Sequence, residues 1–198
     1  MRRRIHSSLL VVVVALVMAL SVPATIFGAE LVILHTNDVH GRIASFADGE
    51  QEIGGLARLA TLVDDIRAQY GDAVILLDAG DTLHGTNIVN LFQGRSIVEV
   101  MNAMGYSAMT LGNHDFNYGQ EVLLERMADA KFPFLAANVI TESGEVFTYS
   151  ALVQQVGELR VGIIGVSSVE TPVATHPNNV VGLTFRDPIE VADYLAPS

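Results

Sequence analysis

The chain is 198 residues long and half apolar, with 22 acidic against 11 basic side chains and a formal charge of −11. That length supports one sizeable core and a single domain, and the acidic balance excludes a nucleic-acid polymer as partner, because a polyphosphate backbone is held by basic surface. Cysteine is absent, which excludes disulfides, a thiolate nucleophile and sulfur-ligated zinc and leaves His, Asp, Asn and water as the available metal ligands.

Arg2, Arg3 and Arg4 precede an apolar run from Leu9 to Leu20, after which come Ser21, Pro23 and the small residues Ala24, Gly28 and Ala29. This order of basic, apolar and small residues is that of a secretory signal peptide over residues 1–29, cleaved after Ala24 or after Ala29. The apolar run falls short of the roughly 20 residues that cross a bilayer, so no stable membrane anchor is expected. Export follows, to the extracellular space, the cell envelope or the periplasm. Without the three arginines, 8 basic residues stand against 22 acidic ones, a formal charge of −14. Such a surface repels a small phosphate ester unless cations at the site invert the local field.

From Glu30 onward apolar segments alternate with helix-like ones, the pattern of a βαβ-type sheet covered by helices. Leu31 to Thr36 reads as the first strand. Ile53 to Tyr70 predicts a helix, with Ile53, Leu56, Leu59, Ala60, Val63, Ile66 and Arg67 at helical spacing and Gly71 as its stop. Val74 to Leu77 is nearly all β-branched or leucine, as expected of a strand covered on both faces. Gly94 to Met104 predicts a second helix with Ile97, Val98, Met101 and Met104 on one face, ended by Gly105, and Ala108 to Leu111 a short third strand. Gln120 to Ala130 is a third helix, and Phe132 to Asn138 returns as a strand with Pro133 near its start, where proline is tolerated. Tyr149 to Val156 and Leu159 to Val166, joined at Gly157-Glu158, read as an antiparallel hairpin. Asp187 and Pro188 then cap and open a last helix. No repeat, low-complexity tract or linker marks a second domain.

Three apolar strands run directly into ligand-type residues. The first is followed by Asn37-Asp38-Val39-His40-Gly41, the second by Asp78-Ala79-Gly80-Asp81, the third by Gly112-Asn113-His114-Asp115-Phe116-Asn117. In an open α/β sheet the carboxyl ends of the strands form the ligand-binding edge, so the three endings can converge. Asp38 and His40, one residue apart in an extended segment, put their side chains on the same side and can share one ion. Gly80 permits close backbone approach, Asp81 has two oxygens with which to bridge two cations, and Asn113 offers an amide oxygen to the second. Mixed nitrogen and oxygen donors suit zinc, manganese or iron. Two such ions, about 3.5–4 Å apart, polarise a phosphoryl group and lower the pKa of a bridging water. His114, pointing away from Asn113 if the segment is extended, is free to protonate a leaving oxygen or to stabilise phosphoryl charge.

A lone Asp after Gly is usually a turn residue and a lone Asn-His pair a loop tip. Repetition at three consecutive strand ends is what favours the metal site. The neighbours have blander readings: His35 as a packed or hydrogen-bonded histidine, His84 as a rim residue, His176 as a loop residue, Asp78 as an acceptor for backbone. Asp115 and Asn117 are taken with His114 as the catalytic residues, and Asp115 has two readings, orienting His114 or capping the helix at Gly119.

The segments His35-Thr36-Asn37-Asp38-Val39-His40-Gly41, Gly80-Asp81-Thr82-Leu83-His84-Gly85 and Gly112-Asn113-His114-Asp115 resemble, in order and spacing, the calcineurin-like metallophosphoesterases. The resemblance is closer to their secreted 5'-nucleotidase, UDP-sugar hydrolase and 2',3'-cyclic-nucleotide phosphodiesterase group, and it extends through Lys131-Phe132-Pro133 and Ala137-Asn138 to the region of Gly165. It implies an α/β fold, a layered sheet with flanking helices. It also implies Asp38 and His40 on a first metal, Asp81 bridging, Asn113 on a second metal, His114 as the catalytic histidine, and Asn113 and His114 at the substrate. The implied activity is that of an exported dinuclear-metal phosphohydrolase acting on nucleotides by attack of metal-bound hydroxide on phosphorus.

Two departures from the family pattern stand out. An aspartate supports the catalytic histidine from three residues later in the 5'-nucleotidase branch, where this chain has Asn117; asparagine can accept a hydrogen bond from an imidazole N–H but lacks the charge that stabilises an imidazolium. The run Asn113 to Gly119 looks more like the cyclic-phosphodiesterase and multifunctional branches, which widens the expected substrates to 2',3'-cyclic nucleotides beside 5'-monophosphates. The family also completes its two-metal site with histidines from later strands, whereas only His176 follows His114 here, and the C-terminal domain that binds base and sugar has no counterpart in the sequence. Residues 30–198 are therefore expected to be the N-terminal part of a metallophosphoesterase catalytic domain, incomplete at the C-terminus, with one weak, partly occupied metal site. The alternative is a non-catalytic truncated product with at most weak metal binding.

Overall fold

A computed structural model of the chain describes residues 28–196. The expected signal segment lies outside the described residues, apart from Gly28 and Ala29. In chain order the elements are β1 (Val32–Thr36), β2 (Phe46–Asp48), β3 (Gln51–Ile53), α1 (Leu56–Tyr70), β4 (Val74–Asp78), α2 (Asn87–Leu91) and α3 (Arg95–Met104). They continue with β5 (Ala108–Thr110), α4 (Gly119–Asp129), β6 (Phe134–Leu135), β7 (Val139–Thr141), β8 (Ala151–Val156), β9 (Leu159–Ile164), α5 (Thr171–Ala174), β10 (Leu183–Phe185) and α6 (Pro188–Leu195).

The expected α/β architecture is present. Four strands pair in parallel in the order β1-β4-β5-β6, and α1, α3 and α4 each lie in a crossover between neighbouring strands. Crossovers of one hand that advance in one direction across a sheet place their helices on one face. The core accordingly packs Leu56 and Val63 of α1, Ile97, Val98, Met101 and Met104 of α3 and Leu123 of α4 against Leu76, Met109 and Phe134 of the strands. The apolar face predicted for α3 is the buried one, and Gly105 ends the helix in a left-handed conformation.

Among the described residues the same topology leaves the opposite face only partly covered, with Ile75 and Leu135 buried there. Ile33 is 54% exposed, and a groove of about 470 Å³ runs past Ile33, His35, Leu77, Leu135, Ile163 and Ile164. The expectation of a second strand covered on both faces therefore fails at Leu77, which is half-buried. His35, expected to be packed, is exposed on this face.

Other differences concern short elements. Ile53 is taken into the β2–β3 hairpin by pairing with Phe46, so the helix begins at Leu56 rather than Ile53. Gly94 is not the first helical residue but its left-handed cap, φ 85°. The strand expected over Phe132 to Asn138 reduces to β6, because Ala136 and Ala137 turn their N–H groups to Tyr149 O and Gly165 O. Val139 then begins β7, which pairs antiparallel with β10. The β8–β9 hairpin has the expected turn, with Val156 opposite Leu159. Asp187 caps α6 by accepting from Ile189 N at 2.8 Å, with Pro188 in its first turn. No helix among the described residues is long and apolar enough to cross a membrane.

Candidate metal centre

Beyond their last paired residues, Thr36 and Asp78, the first two ligand-bearing loops continue to run side by side. Ala79 N donates to Thr36 O (2.8 Å), Asp38 N to Gly80 O (3.0 Å), His40 N to Asp81 O (3.0 Å) and Gly41 N to Thr82 O (3.1 Å). The segment is not extended as expected: Asp38, His40 and Asp81 have φ of 54°, 47° and 57°. Left-handed backbone costs a residue with a side chain about 1–2 kcal/mol, aspartate bearing it better than most. The side chains converge nonetheless. His40 Nε2 lies 3.3 Å from Asp38 Oδ1, and one donor atom each from Asp38, His40 and Asp81 all fall within 4.8 Å of one another. An imidazole and two carboxylates in that span fit a borderline divalent ion, and a cation there offsets the repulsion between the two carboxylates.

The third loop reaches the same point through a close approach. A Cβ on Gly112 would stand 2.2 Å from Asp81 Oδ1 and 2.5 Å from Asp81 N, so only glycine fits. Asn113 has right-handed helical backbone and His114–Phe116 form a 3₁₀ turn, again not the extended geometry assumed for His114. The turn delivers His114 N to Asp81 Oδ1 as a donor at 2.7 Å. It also sets the His114 ring edge-on to His40, centroids 5.2 Å apart. Asn113 Nδ2 donates to Ala174 O at 3.3 Å. Asn117 Nδ2 lies 3.0 Å from His114 Nδ1.

Asp115 makes neither of its two expected contacts. It is 1% exposed, and its carboxylate accepts four backbone N–H groups at 2.9 Å: Thr82 and Leu83 on Oδ1, Asp81 and Gly112 on Oδ2. Burial pushes its carboxyl up to about 7, against the lowering effect of those bonds. One side chain thus ties the loop of Asp81 to that of Asn113. Nothing in the spacing of the motif announces this, since three of the four partners lie some thirty residues earlier.

Asp78 accepts from Gly80 N at 3.0 Å, as expected, and also from the hydroxyls of Thr36 (2.6 Å) and Thr82 (3.0 Å). Burial raises its carboxyl above the ordinary range. Tyr106 completes this buried cluster, its hydroxyl 2.9 Å from Thr36 Oγ1 and pushed up to about 12 by burial.

His84 stacks parallel to His114 at 5.8 Å, and its other neighbour Tyr118 is also 5.8 Å away. Burial first, then His114 and His40, lower its pKa. A row of rings thus runs outward from His40 through His114 and His84 to Tyr118. Ala174 and Thr175 carried no signal in the sequence, lying outside the three motifs, and Tyr118 was noted only within the run Asn113 to Gly119. His176 is a loop residue, its Nδ1 accepting from Asn178 N at the start of the turn Pro177–Val180.

Residues 31–196 match the family profile of the calcineurin-like phosphoesterases. A snake venom 5'-nucleotidase of Gloydius brevicauda is 42% identical over 186 residues, 87% of this chain and 30% of that protein. The human 5'-nucleotidase is 41% identical over 175 residues, 81% of this chain and 30% of that one. Of solved structures, the 5'-nucleotidase precursor of Thermus thermophilus superposes with a TM-score of 0.75 at 33% identity, over 83% of this chain and 33% of its own. The NAD nucleotidase of Haemophilus influenzae does so with 0.73 at 32%, over 84% and 31%. The chain spans about a third of the length of these relatives. With the profile running from β1 to the end of α6 and relatives this similar over most of the chain, the protein belongs to the calcineurin-like phosphoesterase family.

Proposed function

We propose that this chain is the N-terminal, metal-holding part of the catalytic domain of an exported nucleotide phosphohydrolase, acting on 5'-monophosphates and 2',3'-cyclic nucleotides. The observation that carries the reading is the convergence of Asp38, His40 and Asp81 within 4.8 Å beside the ring of His114. The 5'-nucleotidase names of its relatives support a nucleotide substrate, and the basic-apolar-small order of the first 29 residues supports export.

In this reading Asp38, His40 and Asp81 would hold a divalent ion, and Asn113 would offer its amide oxygen to a second. Divalent ions held there supply the charge that polarises a phosphoryl group and acidifies a bound water. His114 contacts the phosphoryl group together with Asn113 and stabilises the charge that develops on the departing oxygen. Asn117 steadies the His114 ring, and Asp115 keeps the two loops at a constant distance without exchanging protons with substrate.

Nucleotide hydrolysis by the chain in manganese tests the assignment. His114→Ala should lower the rate about 10²–10⁴-fold with metal content unchanged, whereas Asp81→Ala should lose metal and activity together. Hydrolysis by His114→Ala at the wild-type rate would overturn the role of His114. A second reading, a non-catalytic product with at most weak metal binding, is supported by His176, whose Nδ1 accepts from Asn178 N of its own loop. Calorimetric titration separates the two. One weak manganese site without hydrolysis favours the second reading, and tight uptake of two ions removes it.

A further inference from the structure

Two side-chain amides flank His114, and both are tied to one short stretch of chain about sixty residues later. Asn113 Nδ2 donates to Ala174 O, and Thr175 Oγ1 donates to Asn117 Oδ1 at 3.1 Å. Ala174 is the last residue of α5, and Thr175 is its C-terminal cap, extended at φ −113° and ψ 178°. Thr175 is 8% exposed. Its hydroxyl proton needs an acceptor within the protein, because an unmade buried hydrogen bond costs about 1–3 kcal/mol.

Asn117 Oδ1 is that acceptor. The two ends of an amide are told apart by the bonds around them, and with Oδ1 committed to Thr175 the end facing His114 is Nδ2, 3.0 Å from Nδ1. An amide NH₂ donates and cannot accept. His114 Nδ1 must then be the bare nitrogen, and the proton of the neutral ring sits on Nε2. Asparagine here acts in the sense opposite to the accepting role that its place in the motif suggests.

We propose that Thr175 is a positioning residue: its hydroxyl orients the Asn117 amide, which in turn holds the His114 imidazole in the tautomer protonated on Nε2. The adjoining Ala174 carbonyl does the equivalent for Asn113, whose engaged Nδ2 leaves Oδ1 as the atom offered to a cation. A carboxylate in place of Asn117 can only accept, and would draw the proton to Nδ1 instead. The catalytic meaning rests on the proposed role of His114, since a neutral ring of this tautomer presents its Nε2–H as a hydrogen bond to the charge on the departing oxygen while keeping the proton. The tautomer itself is independent of hydrolysis.

The test is long-range ¹H–¹⁵N correlation of the imidazole nitrogens in the full chain labelled with ¹⁵N-histidine. It is run in mildly alkaline buffer, with His114 assigned by its disappearance in His114→Gln. The wild type should show a bare Nδ1 and a protonated Nε2. Thr175→Val, which removes the hydroxyl at nearly constant volume, should bring the Nδ1-protonated form into the population. Thr175→Ser should retain the wild-type pattern, and Asn117→Asp should reverse it. A wild-type His114 protonated on Nδ1 overturns the proposal whether or not Thr175→Val folds, and so does a folded Thr175→Val with an unchanged spectrum. The expected tautomers in a chain whose His114→Ala variant hydrolyses normally would instead overturn the role of His114 and leave the positioning role standing.

Discussion

The helix-covered face of the sheet and its carboxyl edge are built from the same strands but held by different forces. On the covered face Leu76, Met109 and Phe134 pack against Val63, Ile97 and Leu123, every one of them at most 2% exposed. At the edge, three loops in left-handed or 3₁₀ backbone are held by directed bonds, chief among them the four N–H groups on Asp115. Apolar contacts add up with little regard to angle, so the core tolerates changes of shape that preserve volume. Hydrogen bonds to one buried carboxylate fix distance and direction. The core thus carries stability, while the edge carries the spacing between Asp81 and Asn113.

The strongest way to break this comparison is to remove its central residue. Asp115→Ala strips four backbone N–H groups of their acceptor, at about 1–3 kcal/mol each before water enters. A loss on the order of 4 kcal/mol in urea unfolding is expected, with manganese affinity lost in whatever remains folded. Leu123→Ala should cost somewhat less, about 3 kcal/mol, and leave manganese affinity in the folded fraction unchanged. An equal loss of affinity in Leu123→Ala would show that the core, too, sets the spacing of the site.

Smaller substitutions sharpen the picture. Asp81→Asn keeps a residue type that tolerates left-handed backbone but removes a charge, so manganese affinity should fall at least about tenfold, or 1.4 kcal/mol. The stability of the metal-free protein should change by less than about 1 kcal/mol, since one partly exposed hydrogen bond is at stake. Metal removal by a chelator should lower the melting temperature of the wild type and not of this variant.

Asp78 supplies a pH dependence. Its carboxyl is raised in the folded state, so between the ordinary carboxylate value and the raised one the native protein binds more protons than the unfolded chain. Its contribution is then fully present at low pH and is lost as pH rises through the raised value. Melting temperatures measured stepwise across the acidic range should fall less with rising pH in Asp78→Asn than in the wild type. Last, Ile33→Thr on the open face should change stability by no more than about 0.5 kcal/mol, although a leucine or isoleucine on the covered face is worth several times that.

Long elements were legible from pattern because each repeats its signal several times. The apolar spacing of α1 and α3, the glycines that end them and the runs of β1 and β4 all state their structure locally. Three-residue strands such as β2, β7 and β10 complete barely one period, so only their partners reveal them. The candidate site was legible in kind: ligand-type residues at three successive strand ends point to a candidate metal site wherever the loops are placed. How those residues meet was not, since Asp38 and His40 depart from the extended geometry that alternation assumes, and Asp115 and Thr175 act on partners far away in sequence.

What the sequence determined by itself was the class of fold, the place of the site on it and the chemistry of its donors, because residue type and local periodicity set those. Only the tertiary structure decided which atoms face one another. The left-handed turns at Asp38, His40 and Asp81, the clamp of Asp115 on two loops and the orientation of the Asn117 amide by Thr175 all depend on chain segments brought together by folding. A hydrogen bond is specific to angle and distance, so its partners are settled by the packing of the whole sheet rather than by neighbours along the chain.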